Sequence, residues 1–93
     1  IDSQKMLGGN GADLVNIYPN PSSDVLNMVN TSEENIKNIK LYNALGAFVA
    51  ELEGGLSAME TVTIYVNDYP AGVYYLIIEG ENNSSSKKLI IAK

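Results

Sequence analysis

Three pairs of carboxylates are the residues of this chain best suited to acid–base chemistry: Glu33/Glu34, Glu51/Glu53 and Glu79/Glu81. Two carboxylates can act as general acid and general base when their surroundings separate their pKa values. Residues two apart on a strand share a face, so Glu51 and Glu53 could cooperate. No histidine, no cysteine, no phosphate-binding glycine loop and no calcium-loop pattern accompanies them. The pairs therefore indicate a solvated surface, and we expect no enzyme activity, no metal site and no cofactor.

The six tyrosines suggest a second chemistry, since exposed aromatic rings can stack on carbohydrate. Tyr18, Tyr42, Tyr65 and Tyr69 could lie on a surface, but the sequence does not bring them together. Tyr75 fits a core or sheet-face position. Half-buried strand tyrosines with their hydroxyls in water explain the pattern better.

Lysines flank the last apolar run of the chain, with Lys87 and Lys88 before it and Lys93 after it. Lysine beside an exposed edge strand discourages sheet-to-sheet aggregation, which is the simpler interpretation. The alternative is a docking element, which could pair edge to edge with a neighbouring strand. From the physical chemistry alone, edge protection is favoured.

Composition limits the other possibilities. A chain of 93 residues is sized for one domain. Its net charge of −5, with lysine as its only strongly basic residue, argues against nucleic-acid binding. No apolar run approaches the ~18–20 residues that span a bilayer. Because the chain starts with Ile1, we expect it to be a piece of a longer protein, with any export signal on another part.

A corner at Pro70 leads into the most apolar run of the sequence. Pro70 fixes its own φ and Gly72 can adopt a positive φ that Ala71 would resist, so the chain turns sharply. The run 73–78 is apolar on both alternating faces, which is typical of a strand in the middle of a sheet. Tyr74 is placed like the corner tyrosine of immunoglobulin-like domains, which bonds back to the backbone.

Turn signals divide the chain into seven short apolar segments. Pro19-Asn20-Pro21 stops the first of them, and Asn43-Ala44-Leu45-Gly46 resembles a hairpin loop closed by a left-handed glycine. The segments show no helical period and predict an all-β, immunoglobulin-like antiparallel β-sandwich. We expect residues 1–13 to be a flexible linker and residues 14–93 to be the sandwich. The predicted strands are 15–18, 25–29, 36–42, 48–52, 61–66, 73–78 and 86–92.

Four pieces of the sequence, taken in order, resemble one family: VNIYPNPS at 15–22 with Leu26 and Met28 after it, IKLYNALG at 39–46, YPAGVYYL at 69–76 and KKLI at 87–90. Together they resemble the type A C-terminal sorting domain of the type IX (Por) secretion system of Bacteroidetes. Two positions depart from the family pattern: Tyr69 stands where leucine is usual, and Ala47 where a long polar residue is common.

The resemblance implies a non-catalytic tail that directs a cargo protein, such as a hydrolase or adhesin, from the periplasm across the outer membrane. A sortase would cut ahead of the domain and join the cargo to the cell surface. The candidate cleavage region comprises Lys5, Gly8, Gly9, Asn10 and Gly11. The secretion machinery would recognise the last strand through Lys87, Lys88, Leu89, Ile90, Ile91 and Lys93. The motif residues that would determine the fold are Tyr18, Pro19, Asn20, Pro21, Gly46, Pro70, Ala71, Gly72 and Tyr74.

Two alternatives remain beside the sorting module. An accessory immunoglobulin-like module would bind polysaccharide or a protein partner next to a catalytic domain, and a structural spacer would bind nothing. A sorting tail would end at or very near Lys93, whereas an accessory module could be followed by more protein.

Overall fold

The computed structural model describes residues 13–93, which form seven strands in two antiparallel sheets. One sheet has the strand order β1-β2-β5, and the other has the order β4-β3-β6-β7. The predicted cleavage residues Lys5 and Gly8 to Gly11 lie outside the described residues. The strands are β1 (Val15–Tyr18), β2 (Val25–Asn30), β3 (Ile36–Asn43), β4 (Phe48–Glu53), β5 (Thr61–Tyr65), β6 (Gly72–Gly80) and β7 (Ser84–Ile91).

The core lies between the two sheets and follows the period-2 pattern of the sequence. Leu26 and Met28 of β2 are fully buried, as are Ile39 and Leu41 of β3. Val62 and Ile64 of β5 pack partly buried against this cluster. The prediction of an immunoglobulin-like β-sandwich is thereby confirmed.

Strand β6 is the central strand that its sequence predicts, since it pairs with β3 on one side and β7 on the other. Tyr74, Leu76 and Ile78 face the core, while Tyr75 and Ile77 of the same strand are exposed on the outer face. Apolar residues on both faces thus belong to a strand that is central within its sheet but covered on one side only.

The corner before β6 has the hydrogen bond expected of a tyrosine corner. The Tyr74 hydroxyl donates to the Pro70 carbonyl at 2.6 Å, and Gly72 has a φ of +158°. In the β3–β4 hairpin, Gly46 has a φ of +86°, in the left-handed region, and its N–H donates to the Asn43 carbonyl. Both turns have the backbone shape that their sequences predict.

The loop between β6 and β7 is shorter than the sequence indicates. Residues 79–85 are predicted as a polar loop, but Ile78 pairs with Ser85 and Glu79 pairs with Ser84. The predicted start of β7 at residue 86 is therefore wrong by two residues. Serine and glutamate carry little strand signal, and here the pairing with β6 decides.

Asn30 is a fully buried polar residue that joins two loops. Its Nδ2 donates to the Glu34 carbonyl at 2.8 Å and to the Leu56 carbonyl at 3.2 Å. Its Oδ1 accepts from the backbone N–H of Ser32 at 3.0 Å. Asn30 follows Leu26 and Met28 at the next inward position of β2, so its hydrogen bonds satisfy groups that would otherwise be buried without partners.

We expect Asn30→Ala to lower the free energy of unfolding by about 1–3 kcal/mol, because it leaves buried donors and acceptors unpaired. Urea denaturation of the purified chain measures the change. Asn16→Ala, at an exposed position of β1, is the matched control and should have little effect. Equal stability of the two variants would contradict the structural role of Asn30.

Candidate recognition site on the terminal strand

Strand β7 divides the predicted recognition residues between two faces. Leu89 and Ile91 are buried in the core, at 0% and 1% exposure. Lys88 and Ile90 alternate with them and lie on the outer face, where Lys88 is exposed and Ile90 half-buried. Of these four side chains, only Lys88 and Ile90 can be touched by a partner while the sandwich stays folded.

The other two lysines of the predicted set are held by contacts within the domain. Lys87 lies on the core-facing side of β7, opposite Leu76, and its Nζ reaches out to Asp13 Oδ2 at 3.0 Å. A lysine can bury its methylene chain in this way while its ammonium group stays near water. The Lys93 ammonium group donates to the Asn67 carbonyl. These contacts tie the middle of β7 and the residue two positions after its end to neighbouring segments.

The turn after β1 covers the outer edge of the last part of β7. The Asn20 side chain donates from Nδ2 to the Lys88 carbonyl at 3.0 Å and accepts at Oδ1 from the Ile90 N–H, also at 3.0 Å. The Ser22 N–H donates to the Ile90 carbonyl, and the Ala92 N–H donates to the Ser22 carbonyl, both at 2.8 Å. The segment runs parallel to β7 at Ser22 and Ile91.

Two prolines, Pro19 and Pro21, lie in this turn. The peptide bonds Tyr18–Pro19 and Asn20–Pro21 are both cis. Ser22 is 1% exposed, and its hydroxyl donates to the Pro19 carbonyl. The chain thereby crosses within a few residues from β1, in one sheet, to the edge of β7, in the other.

A row of side chains runs straight across the outer face of the four-stranded sheet and ends on β7. Phe48 pairs with Tyr42, Tyr42 with Tyr75, and Tyr75 with Lys88. The rings of Phe48 and Tyr42 meet edge to face, with centroids 5.8 Å apart. Tyr75 is 41% exposed and Phe48 57%. We call Phe48, Tyr42 and Tyr75 the aromatic row; the pairing of Tyr75 with Lys88 places Lys88 next to its end.

An open groove of about 420 Å³ lies next to the aromatic row. The β3–β4 hairpin forms one wall with Asn43 and Leu45, and Tyr75 and Ile77 form the other. Asn43 uses its Oδ1 to accept from the N–H groups of Leu45 and Ala47. The lining of the groove is mainly apolar, and the side-chain oxygen of Asn43 is already engaged within the hairpin.

Glu34, in the loop between β2 and β3, accepts hydrogen bonds from the β6–β7 hairpin. Its Oε1 accepts from the Asn82 N–H at 2.8 Å, and its Oε2 accepts from Asn83 Nδ2 at 2.7 Å. These hydrogen bonds, led by that from the Asn82 backbone, lower the pKa of Glu34. A Cβ at Gly80 would meet the Glu34 carboxylate and lie 3.1 Å from the Asn83 carbonyl, so a larger residue here would have to displace the Glu34 side chain from the hairpin.

The remaining acidic pairs are not gathered around a cleft. Glu53 accepts a hydrogen bond from the Gly55 N–H, and Glu79 accepts one from Asn38 Nδ2. Glu81 accepts one from the Asn35 N–H. Within residues 13–93, no group of three or more acidic, histidine or cysteine side chains is arranged to hold a metal ion. None of these residues forms a helix with the length and apolarity that membrane crossing requires.

The structure brings together two predicted sets that the sequence keeps apart. Asn20 of the proline turn meets Lys88 and Ile90 of the terminal strand, although 68 to 70 positions separate them. No local pattern in the sequence signals this contact or the roles of Glu34 and Gly80, so none of them was predicted. Asn30 did leave a signal, as a polar residue at the next inward position of an alternating strand.

The fold and this arrangement define an immunoglobulin-like β-sandwich whose terminal strand is covered at its end by the turn after the first strand. A family model described as "Secretion system C-terminal sorting domain" matches residues 16–92. The chain belongs to this family, as its four sequence pieces indicate, and is a sorting domain of type IX secretion. No curated protein matches the chain. Membership implies an upstream cargo, the type IX machinery as partner, and export through the periplasm to the surface or beyond.

The low pKa of Glu34 predicts a pH-dependent contribution to stability. A carboxyl group whose folded-state pKa is lowered stabilises the fold above its usual pKa of 4.5, and this stabilisation is lost as the pH falls through the folded-state value. We expect wild type to melt above Glu34→Gln at pH 7, with the difference shrinking below about pH 4.5. Glu33→Gln, at the exposed neighbouring position, is the control. A pH-independent difference would contradict this account.

Proposed function

We propose that this domain carries an upstream cargo protein through the type IX machinery across the outer membrane, and that the machinery contacts the outward side of β7. The observation that supports this site is the alternation of β7: Leu89 and Ile91 anchor the strand in the core, which leaves Lys88 and Ile90 to face a partner. The domain itself performs no chemistry in this proposal.

The aromatic row extends the proposed contact surface beyond β7. Exposed apolar area that is contiguous across several strands often marks a protein–protein contact. Tyr75 lies directly beside Lys88, so a partner on Lys88 also meets the aromatic row. A lysine next to an exposed aromatic row suits a partner that presents both an acidic and an apolar side chain.

After translocation, a sortase removes the domain in this proposal. The sortase thiol attacks a peptide carbonyl in the region from Lys5 to Gly11, the peptide C–N bond breaks, and the thiol proton leaves on the new amine of the domain. A nucleophile of the cell-surface lipopolysaccharide, or water, then takes the cargo acyl group from the thioester. Leu14 is 1% exposed, and the Thr31 N–H donates to its carbonyl. A cut at or before Gly11 therefore spares the first residue of the core.

Binding of polysaccharide by an accessory module is a second candidate, and the aromatic row is the observation in its favour. Specific binding of a sugar needs polar groups that fix its hydroxyls, in addition to a stacking surface. The groove beside the row is lined mainly by apolar atoms, and the Asn43 acceptor is engaged by its own hairpin. The groove thus suits an apolar protein side chain better than a sugar ring.

The test of the sorting site uses a reporter fused ahead of the 93-residue chain in a host that has the type IX system. We expect Lys88→Glu combined with Ile90→Ser to leave the reporter in the periplasm, because both outward contacts of β7 are changed. Lys37→Glu makes the same charge change at an exposed position of β3 and should be delivered normally. Surface proteolysis and cell fractionation measure the delivery.

A deletion of residues 89–93 tests the function itself. We expect the truncated fusion to stay in the periplasm. Normal surface delivery of that fusion would contradict the sorting role, whereas normal delivery of the Lys88/Ile90 double variant alone would contradict only the proposed contact face. A spacer would lose folding stability on truncation and still leave the cell.

A further inference from the structure

The turn after β1 and the end of β7 form one structural unit, although they lie at opposite ends of the domain's sequence. The Asn20 carboxamide presents a donor and an acceptor side by side, as a backbone peptide does. It meets the Lys88 carbonyl and the Ile90 N–H, which would be the partners of a neighbouring strand. Asn20 therefore substitutes for one residue of a strand that the sheet lacks.

Ser22 continues this substitution toward the chain end. Its backbone N–H donates to the Ile90 carbonyl, and its carbonyl accepts from the Ala92 N–H. Together with the two bonds of Asn20, these hydrogen bonds occupy the outer edge of the chain from Lys88 to Ala92. Among the described strands, β7 pairs only with β6, so its other edge has no strand beside it. The turn covers this outer edge at the end of β7 but does not cover the part from Ser84 to Lys87. A partner that added a strand to the end of β7 would first have to displace the turn.

We propose that Asn20 is the positioning residue of the sorting signal: its carboxamide fixes the end of β7, so that the machinery reads the outward side chains Lys88 and Ile90 on a closed edge. This inference rests on the proposed function. It assigns Asn20 no direct contact with the machinery, and it excludes strand addition to the part of the edge from Lys88 to Ala92 during recognition.

The first measurement is amide hydrogen exchange on the purified 93-residue chain. Asn20→Ala removes both side-chain hydrogen bonds, and we expect the Ile90 amide to exchange about 10-fold faster, which matches the loss of one typical hydrogen bond. Asn20→Asp keeps an acceptor for the Ile90 N–H but has no donor for the Lys88 carbonyl, so Ile90 should stay better protected than in Asn20→Ala. An unchanged Ile90 rate in Asn20→Ala would overturn the proposal.

The second measurement is delivery of the reporter fusion in the type IX host. We expect Asn20→Ala to lose surface delivery. Val62→Ala, on β5 in the other sheet, is the control, because it lowers stability without touching β7. Melting temperatures of both variants are measured alongside. Val62→Ala should be delivered even if it melts as low as Asn20→Ala.

The possible results separate this inference from the function on which it rests. Normal delivery of Asn20→Ala with a fast Ile90 amide would overturn the positioning role, while arrest of the 89–93 deletion in the same experiment would keep the sorting function. Equal loss of delivery in Val62→Ala and Asn20→Ala at equal melting temperature would also overturn it, since delivery would then follow stability alone. Improved delivery of Asn20→Ala would show that the released edge is what the partner binds.

Discussion

An edge strand needs partners for its outward N–H and C=O groups, and at the end of β7 the turn after β1 supplies them. Asn20 and Ser22 together make four hydrogen bonds to the backbone from Lys88 to Ala92. Water can also bond such exposed groups, so each bond adds only about 0.5–1.5 kcal/mol to stability. The main effect of the turn is therefore to fix where the last strand lies.

This constraint explains why the four sequence pieces that carry the family resemblance occur as a set. Three of them contribute to three of the four strands of the larger sheet: IKLYNALG gives most of β3 and its hairpin loop, YPAGVYYL gives the corner and the first part of β6, and KKLI lies in β7. The fourth piece, VNIYPNPS, starts in the other sheet and ends on the edge of β7. All four pieces therefore lie close together in the fold as one spatial unit, in β6, in the strands β3 and β7 beside it, and on the outer edge of β7.

The sequence determines the parts of this unit that depend on neighbouring residues. Alternation places Leu26, Met28, Ile39 and Leu41 in the core, and the shape of each turn follows from its glycine or proline. Pairing between distant residues has no such signal. Neither the contact of Asn20 with β7 nor the hydrogen bond from the Asn82 N–H to Glu34 can be derived from the spacing of residues. The serines at the start of β7 adopt strand structure only because β6 pairs with them.

Strand β7 has one face buried in the core and one face turned outward, because successive side chains of a strand point to opposite sides. Leu89 and Ile91 fill the core on one side, so the positions of Lys88 and Ile90 on the other side follow from the packing. A shift of one residue would bury Lys88 and expose Leu89, which the core resists. Lys88 also stands beside Tyr75 only through the pairing of β6 with β7. A partner that contacts Lys88 and the aromatic row together therefore recognises the folded register, which the linear sequence near the chain end does not contain.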